Sequence, residues 1–71
     1  MVSKFSARNQ LRGTVKLVKL GTVMAEVVVQ LPDGQEVVSA ITRSSAEDLS
    51  LKQGDQVVAI IKSTDVMIGK D

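Results

Sequence analysis

Residues 22–34 read TVMAEVVVQLPDG, a strand pattern that ends in a turn. Apolar side chains recur there at every second position, the period of a β-strand with one buried face, at Val23, Ala25, Val27, Val29 and Leu31. Pro32-Asp33-Gly34 predicts a tight turn, because proline presets φ and glycine accepts a positive φ. The stretch therefore predicts a hairpin with a second strand over residues 35–42, whose inner face carries Val37, Ser39 and Ile41.

Two more long strands and a short helix are predicted around this hairpin. In residues 10–20 the apolar period slips by one after Leu17, as a bulge or sharp bend produces. Ser44 with Glu47 three residues later has the capping-box pattern, which predicts that a short helix begins at Ser44 or Ser45. Residues 56–61 read QVVAII, apolar on both faces, and predict the most buried strand. Residues 66–68 predict a final short strand.

These elements define the expected fold class. Five short strands with one helix, too closely spaced for parallel crossovers, predict an all-β, OB-like five-stranded barrel. The 71 residues form one domain, residues 1–71, whose core is marginal at this size. Cysteine and histidine are absent, which excludes disulfides and argues against a structural zinc site. Association of copies is the remaining way to bury apolar surface, and Met24, Val28 and Val38 on outer strand faces favour it.

The missing residue types also limit the chemistry. Without histidine or cysteine the chain lacks the usual acid–base relay and thiolate nucleophile, so we do not expect an enzyme. No apolar run approaches the length of a membrane span and no signal peptide is visible, so the sequence predicts a cytoplasmic protein with no membrane partner.

Hydrogen-bond donors concentrate in two stretches, Ser6-Ala7-Arg8-Asn9-Gln10 and Lys62-Ser63-Thr64. Arginine and lysine supply charge, while hydroxyls and backbone N–H groups add directed bonds, which is the inventory that an oxyanion needs. We predict that the two stretches meet and bind a small anion. Three alternatives stay open: a plain turn in a structural module, a site for sulfate or phosphate, and a nucleic-acid-binding OB module. The last is disfavoured because Phe5 is the only aromatic residue for base stacking.

The two donor stretches, with Gly13 and the block Ala25-Glu26-Val27, resemble the molbindins, small molybdate-binding proteins built from the Mop domain. The third block of the resemblance continues through Asp65-Val66-Met67. The resemblance implies an OB-like barrel with strands exchanged between protomers, and a hexamer built as a trimer of dimers. It implies storage or homeostasis of molybdate or tungstate, bound as ligand at subunit interfaces without an organic cofactor and without nucleic acid.

The resemblance also assigns residues to sites. It implies oxyanion binding by Ser6, Arg8, Lys62 and Ser63, with the backbone of Ala7 close by. We further expect that Arg8 and Lys62 reach one anion from different chains. A second class of site is implied around the threefold axis, built mostly from backbone donors; the candidates are Gly21, Thr22, Val23, Ser39 and Ile41.

Overall fold

A computed structural model describes residues 5–71. Its four strands form one antiparallel sheet in the order β3-β2-β1-β4. The elements are β1 (Asn9–Leu20), β2 (Met24–Gln30), β3 (Glu36–Thr42), α1 (Arg43–Asp48), β4 (Gln56–Ile61) and a 3₁₀ turn, η1 (Ser63–Asp65). The sequence-based assignment of the three-strand region and of β4 is confirmed to within two residues at each end.

The predicted hairpin turn forms between β2 and β3. Gly34 takes a φ of +92° and donates its N–H to the carbonyl of Leu31 at 2.9 Å. Asp33 closes the turn by accepting from Gln35 twice, from the side-chain Nε2 at 2.6 Å and from the backbone N–H at 3.1 Å. These bonds to the carboxylate lower the pKa of Asp33, because they favour its charged form.

The strand β1 serves two ladders. Residues 9–14 pair with β4, and residues 14–20 pair with β2. The register with β2 shifts between Val15 and Leu17, so Lys16 is the inserted residue of a bulge. The predicted bend is confirmed, but it lies before Leu17 and not after it. Leu17 is therefore on the outer face, 47% exposed, while Val18 takes the inner position opposite Val27.

The core lies on the inner face of the sheet. Val15, Val27 and Val29 are buried together, and four half-buried residues pack against them: Val18, Ile41, Leu51 and Val57. The outer face differs from the expectation at one position. Val28 is buried, because its ladder neighbours Leu17 and Val38 flank it across the sheet. Val38 itself is 64% exposed and Met24 is 48% exposed, as predicted for outer positions.

Two other expectations are wrong. The most buried strand is β2, not residues 56–61, because β4 is at the edge of the sheet and β2 is inside it. Residues 66–68 form no strand in the described chain, so the sheet has four strands and not five. Met67 and Ile68 are 92% and 90% exposed and have no strand beside them. Within residues 5–71, no helix is long and apolar enough to cross a membrane.

The helix α1 begins one residue earlier than the sequence predicts, and Ser44 is not its cap. Thr42 is the N-cap, and its Oγ1 accepts from the backbone N–H of Ser45 at 3.1 Å. Thr42 is also the last residue of β3, so the same residue ends the strand and caps the helix. The capping-box pattern of Ser44 and Glu47 therefore pointed to the wrong cap. Ser44 lies inside the helix, between Arg43 and Ser45.

We expect Thr42→Ala to destabilise the fold by about 1 kcal/mol, the usual cost of losing a threonine cap. The matched control is Ser44→Ala, which removes a hydroxyl two residues further on that lies 3.3 Å from Thr42 Oγ1, and which keeps the bond from the Ser45 N–H to the cap. Chemical denaturation of both variants measures the difference. Equal loss of stability in the two variants would contradict the assignment of Thr42 as the cap.

Candidate oxyanion-binding site

The ladder between β1 and β4 brings the two donor stretches to one end of the sheet. Asn9, the first residue of β1, pairs with Ile61, the last residue of β4. Arg8 precedes Asn9 and Lys62 follows Ile61, so both cations occupy the next position beyond the same ladder rung. Opposed residues of antiparallel strands lie about 5 Å apart between Cα atoms. The register therefore brings the ends of the two stretches to neighbouring positions within one chain, and the pairing itself ends at the Asn9–Ile61 rung.

The second stretch is held as a single 3₁₀ turn. The carbonyl of Lys62 accepts from the N–H of Asp65 at 2.9 Å, and that of Ser63 accepts from the N–H of Val66 at 3.3 Å. These bonds engage the carbonyls of the turn. The N–H groups at its start, those of Ser63 and Thr64, have no partner inside the turn, as at the start of any helical segment. Donors thus stay available at the end of β4 where Lys62 lies.

The first stretch is irregular in backbone conformation from Phe5 to Arg8. Ser6 and Arg8 are exposed, and Ala7 is half-buried. The side-chain amide of Gln10 donates from Nε2 to the carbonyl oxygen of Ala7 at 3.2 Å. This bond ties the irregular segment to the regular part of β1.

The electrostatics of this end of the sheet favour an anion. Within residues 5–71, three ion pairs form, Lys16–Glu36, Arg43–Glu47 and Lys52–Asp55, and none of them uses Arg8 or Lys62. The 3₁₀ turn also carries one carboxylate, Asp65, whose side chain would oppose an anion. Asp65 lines a groove together with residues of β3 and β4. Arg8 and Lys62 each lie one residue beyond the Asn9–Ile61 pair, and a dianion bound between two like charges offsets their repulsion.

The residues suggested for a second site are only partly brought together. The turn at residues 21–23 is ordered by Arg43, which donates its N–H to the carbonyl of Val23 at 2.7 Å and its Nη1 to the carbonyl of Gly21 at 3.3 Å. Ser39 and Ile41 lie further along β3, opposite Val27 and Ala25 on the inner face. In one chain they do not adjoin the turn; the β3 residue that pairs beside it is Thr42.

Sequence reasoning missed Arg43 beside the turn at residues 21–23, and it missed the partner of Gln10 in the first donor stretch. Arg43 is the first residue of α1, and its Nε lies 3.2 Å from Oε2 of Glu47, four residues later. In sequence this spacing is typical of an ion pair on an exposed helix face. The contacts of Arg43 with Gly21 and Val23 connect residues about twenty positions apart and leave no periodic signal. Gln10 lay inside the donor-rich stretch, but its partner Ala7 was not predictable from composition.

The fold and the site together define a small OB-like domain that gathers anion donors at one end of a four-stranded sheet. The TOBE domain family matches residues 6–68, so the chain belongs to that family, and within it to the small Mop proteins. It is 56% identical over 63 residues to molybdenum-pterin-binding protein 3 of Clostridium pasteurianum, covering 89% of this chain and 93% of that one.

Solved structures of relatives have the same fold. A molybdate-binding protein from Sporomusa ovata superposes with a TM-score of 0.90 at 46% identity, covering 96% of this chain and all of that one. MopII from Clostridium pasteurianum gives a TM-score of 0.89 at 46% identity, with 94% of this chain and all of that one covered. The OB-like fold class is thereby confirmed.

Proposed function

We propose that this protein binds molybdate, or its close analogue tungstate, for storage or homeostasis of molybdenum. The observation that supports the proposal is the ladder register that pairs Asn9 with Ile61, so that Arg8 and Lys62 each lie one residue beyond the same rung, and neither forms an ion pair within residues 5–71. The names of its relatives agree with this ligand: they are molybdenum-pterin-binding or molybdate-binding proteins. No step of catalysis is part of the proposal.

The proposed ligands are Ser6, Ala7, Arg8, Lys62 and Ser63. Arg8 and Lys62 supply positive charge, and charge-assisted hydrogen bonds to a dianion are shorter and stronger than neutral ones. The hydroxyls of Ser6 and Ser63 add directed donors. Ala7 contributes backbone only, and its small side chain lets the anion approach the main chain. The set has donors and no carboxylate, which suits a tetrahedral dianion.

Assembly into a homo-oligomer, specifically a hexamer, belongs to the same proposal. Its support is apolar surface on the outside of the single chain. Val38 and Met67 are 64% and 92% exposed, and Leu17 and Met24 add to the outer apolar area. Large exposed apolar patches mark surfaces that other chains cover. Native mass spectrometry at micromolar concentration measures the assembly directly; a monomer there would contradict it.

We also place the protein in the cytoplasm. Its support is a structural neighbour at 43% identity and a TM-score of 0.82, which is described as the cytoplasmic molybdate-binding protein ModG. That match covers 86% of this chain and 43% of that one.

A second oxyanion site at the turn of residues 21–23 remains a proposal. Arg43 is the cation that orders this turn.

Titration of the protein with four oxyanions in parallel tests the function. We expect molybdate and tungstate to bind and to raise the melting temperature, because a ligand that binds only the folded state stabilises it by about 2.7 kcal/mol at a hundredfold excess over its Kd. Sulfate and phosphate at equal concentration should do so much less. Calorimetry gives the affinities. Tight binding of single-stranded DNA or RNA without an effect of molybdate would favour a nucleic-acid module instead.

A further inference from the structure

We propose that Gln10 is a positioning residue for the oxyanion site: its side chain fixes the Ala7–Arg8 peptide so that the segment Ser6–Arg8 presents donors. This inference rests on the proposed function, which does not itself assign a role to Gln10. The residue is exposed and does not need to contact the anion. It acts through the backbone that carries Arg8.

The hydrogen bonds of the segment carry the argument. Among the hydrogen bonds between residues 5–71, one side-chain bond reaches residues 5–8, from Gln10 Nε2 to the carbonyl oxygen of Ala7 at 3.2 Å. The ladder to β4 begins only at Asn9. Within the described chain, the segment that bears three of the proposed ligands, Ser6, Ala7 and Arg8, is therefore tied to the sheet by the side chain of Gln10.

Peptide geometry gives this bond a direction. The carbonyl of Ala7 and the N–H of Arg8 belong to one planar, trans peptide group and point in opposite directions. Because Gln10 holds the carbonyl on its own side, the Arg8 N–H faces the other side. A free carbonyl oxygen beside the site would repel a dianion; here the amide of Gln10 engages it, so the peptide offers its donor and not its acceptor.

Gln10 is well placed for this task because it is fixed itself. It lies inside the β1–β4 ladder, opposite Ile60, and not in the irregular segment. Its bond closes a short ring across residues 7–10. The segment is thereby ordered before the anion arrives, and pre-ordering improves affinity by reducing the ordering cost of binding.

The test compares three variants with the wild-type oligomer. Gln10→Ala should weaken molybdate binding about three- to tenfold, the range expected for one hydrogen bond. Gln10→Glu should weaken it more, since a carboxylate repels both the Ala7 carbonyl and the dianion. The matched control is Gln56→Ala, which loses a bond of the same kind, from Nε2 to Thr14 Oγ1 at 3.0 Å, away from the irregular segment. It should bind nearly as the wild type does.

Hydrogen–deuterium exchange of the anion-free protein supplies a second readout. Faster exchange confined to residues 6–9 in Gln10→Ala, with an unchanged melting temperature, indicates positioning and not general destabilisation. If Gln10→Ala binds molybdate as tightly as Gln56→Ala does, the inference is overturned while the proposed function stands. If the wild-type protein binds none of the oxyanions, the proposed function fails and the inference fails with it.

Discussion

Gly13→Ala is expected to lower the melting temperature by about 4–24 °C, because overpacking costs about 1–3 kcal/mol and each kcal/mol shifts a domain of this size by about 4–8 °C. A Cβ at Gly13 would lie 2.6 Å from the carbonyl oxygen of Gln30 and 2.6 Å from Cγ1 of Val29. The Gln30 contact is with main chain in a paired strand. Relief would require β1 and β2 to separate beside the Thr14–Gln30 pair.

The matched control for this substitution is Gly69→Ala. A Cβ there meets nothing within 4 Å, so the variant should melt as the wild-type chain does. Thermal unfolding is compared at one protomer concentration, since association makes the melting temperature concentration-dependent. A Gly13→Ala protein as stable as Gly69→Ala would show that the two strands tolerate a wider spacing than the structure has.

Arg8→Ala and Lys62→Ala are each expected to weaken molybdate binding by about one to two decades. Each truncation removes a charge-assisted hydrogen bond worth about 1.5–3 kcal/mol. Isothermal titration calorimetry measures the loss. Lys19→Ala is the control, because it removes an exposed cation from the far end of the same strand. Glu26→Gln, which changes a carboxylate paired in register with Lys19, should also retain binding. If Lys19→Ala weakened molybdate binding equally, the losses in Arg8→Ala and Lys62→Ala would be due to overall charge and not to a specific site.

Mixing the two cation variants tells whether one chain holds the whole site. Arg8→Ala and Lys62→Ala protomers are refolded together, and mixed oligomers are verified by mass spectrometry. Recovery of tight binding would support the sequence-based expectation that different chains supply the two cations. Absence of recovery would place both cations in one chain, an arrangement that the β1–β4 register already permits.

The hairpin was predictable because its signals are local. Alternation along β2 and the Pro32-Asp33-Gly34 turn depend on neighbours in sequence, and both were correct in the structure. The burial of β4 was not predictable, since an apolar run does not reveal whether a strand is central or at an edge. Thr42 was overlooked as a cap because it completes the alternation of β3, and strand and helix signals compete at that residue.

The candidate site was predictable as two stretches but not as a geometry. Residue types alone indicated an anion, while the approach of the two stretches depends on the pairing of Asn9 with Ile61, some fifty positions apart. No periodicity encodes that register. The partner of Gln10 was not predictable either, because it is set by the backbone path of an irregular segment. Arg43 differs, since it lies opposite Val23 one position beyond the Met24–Thr42 pair of the hairpin.

The double role of β1 has a consequence for the order of events during synthesis. β2 and β3 pair with neighbours close in sequence, so the three-strand meander has its partners once residue 42 is made. The first half of β1 must wait for β4, and pairings so distant in sequence form slowly. Arg8 and Lys62 come together only in that last step. A chain that is still growing, or one cut before residue 56, therefore lacks β4 and the contact of Val57 with the core, and it has no place for the anion, so oxyanion capture reports that the sheet is complete.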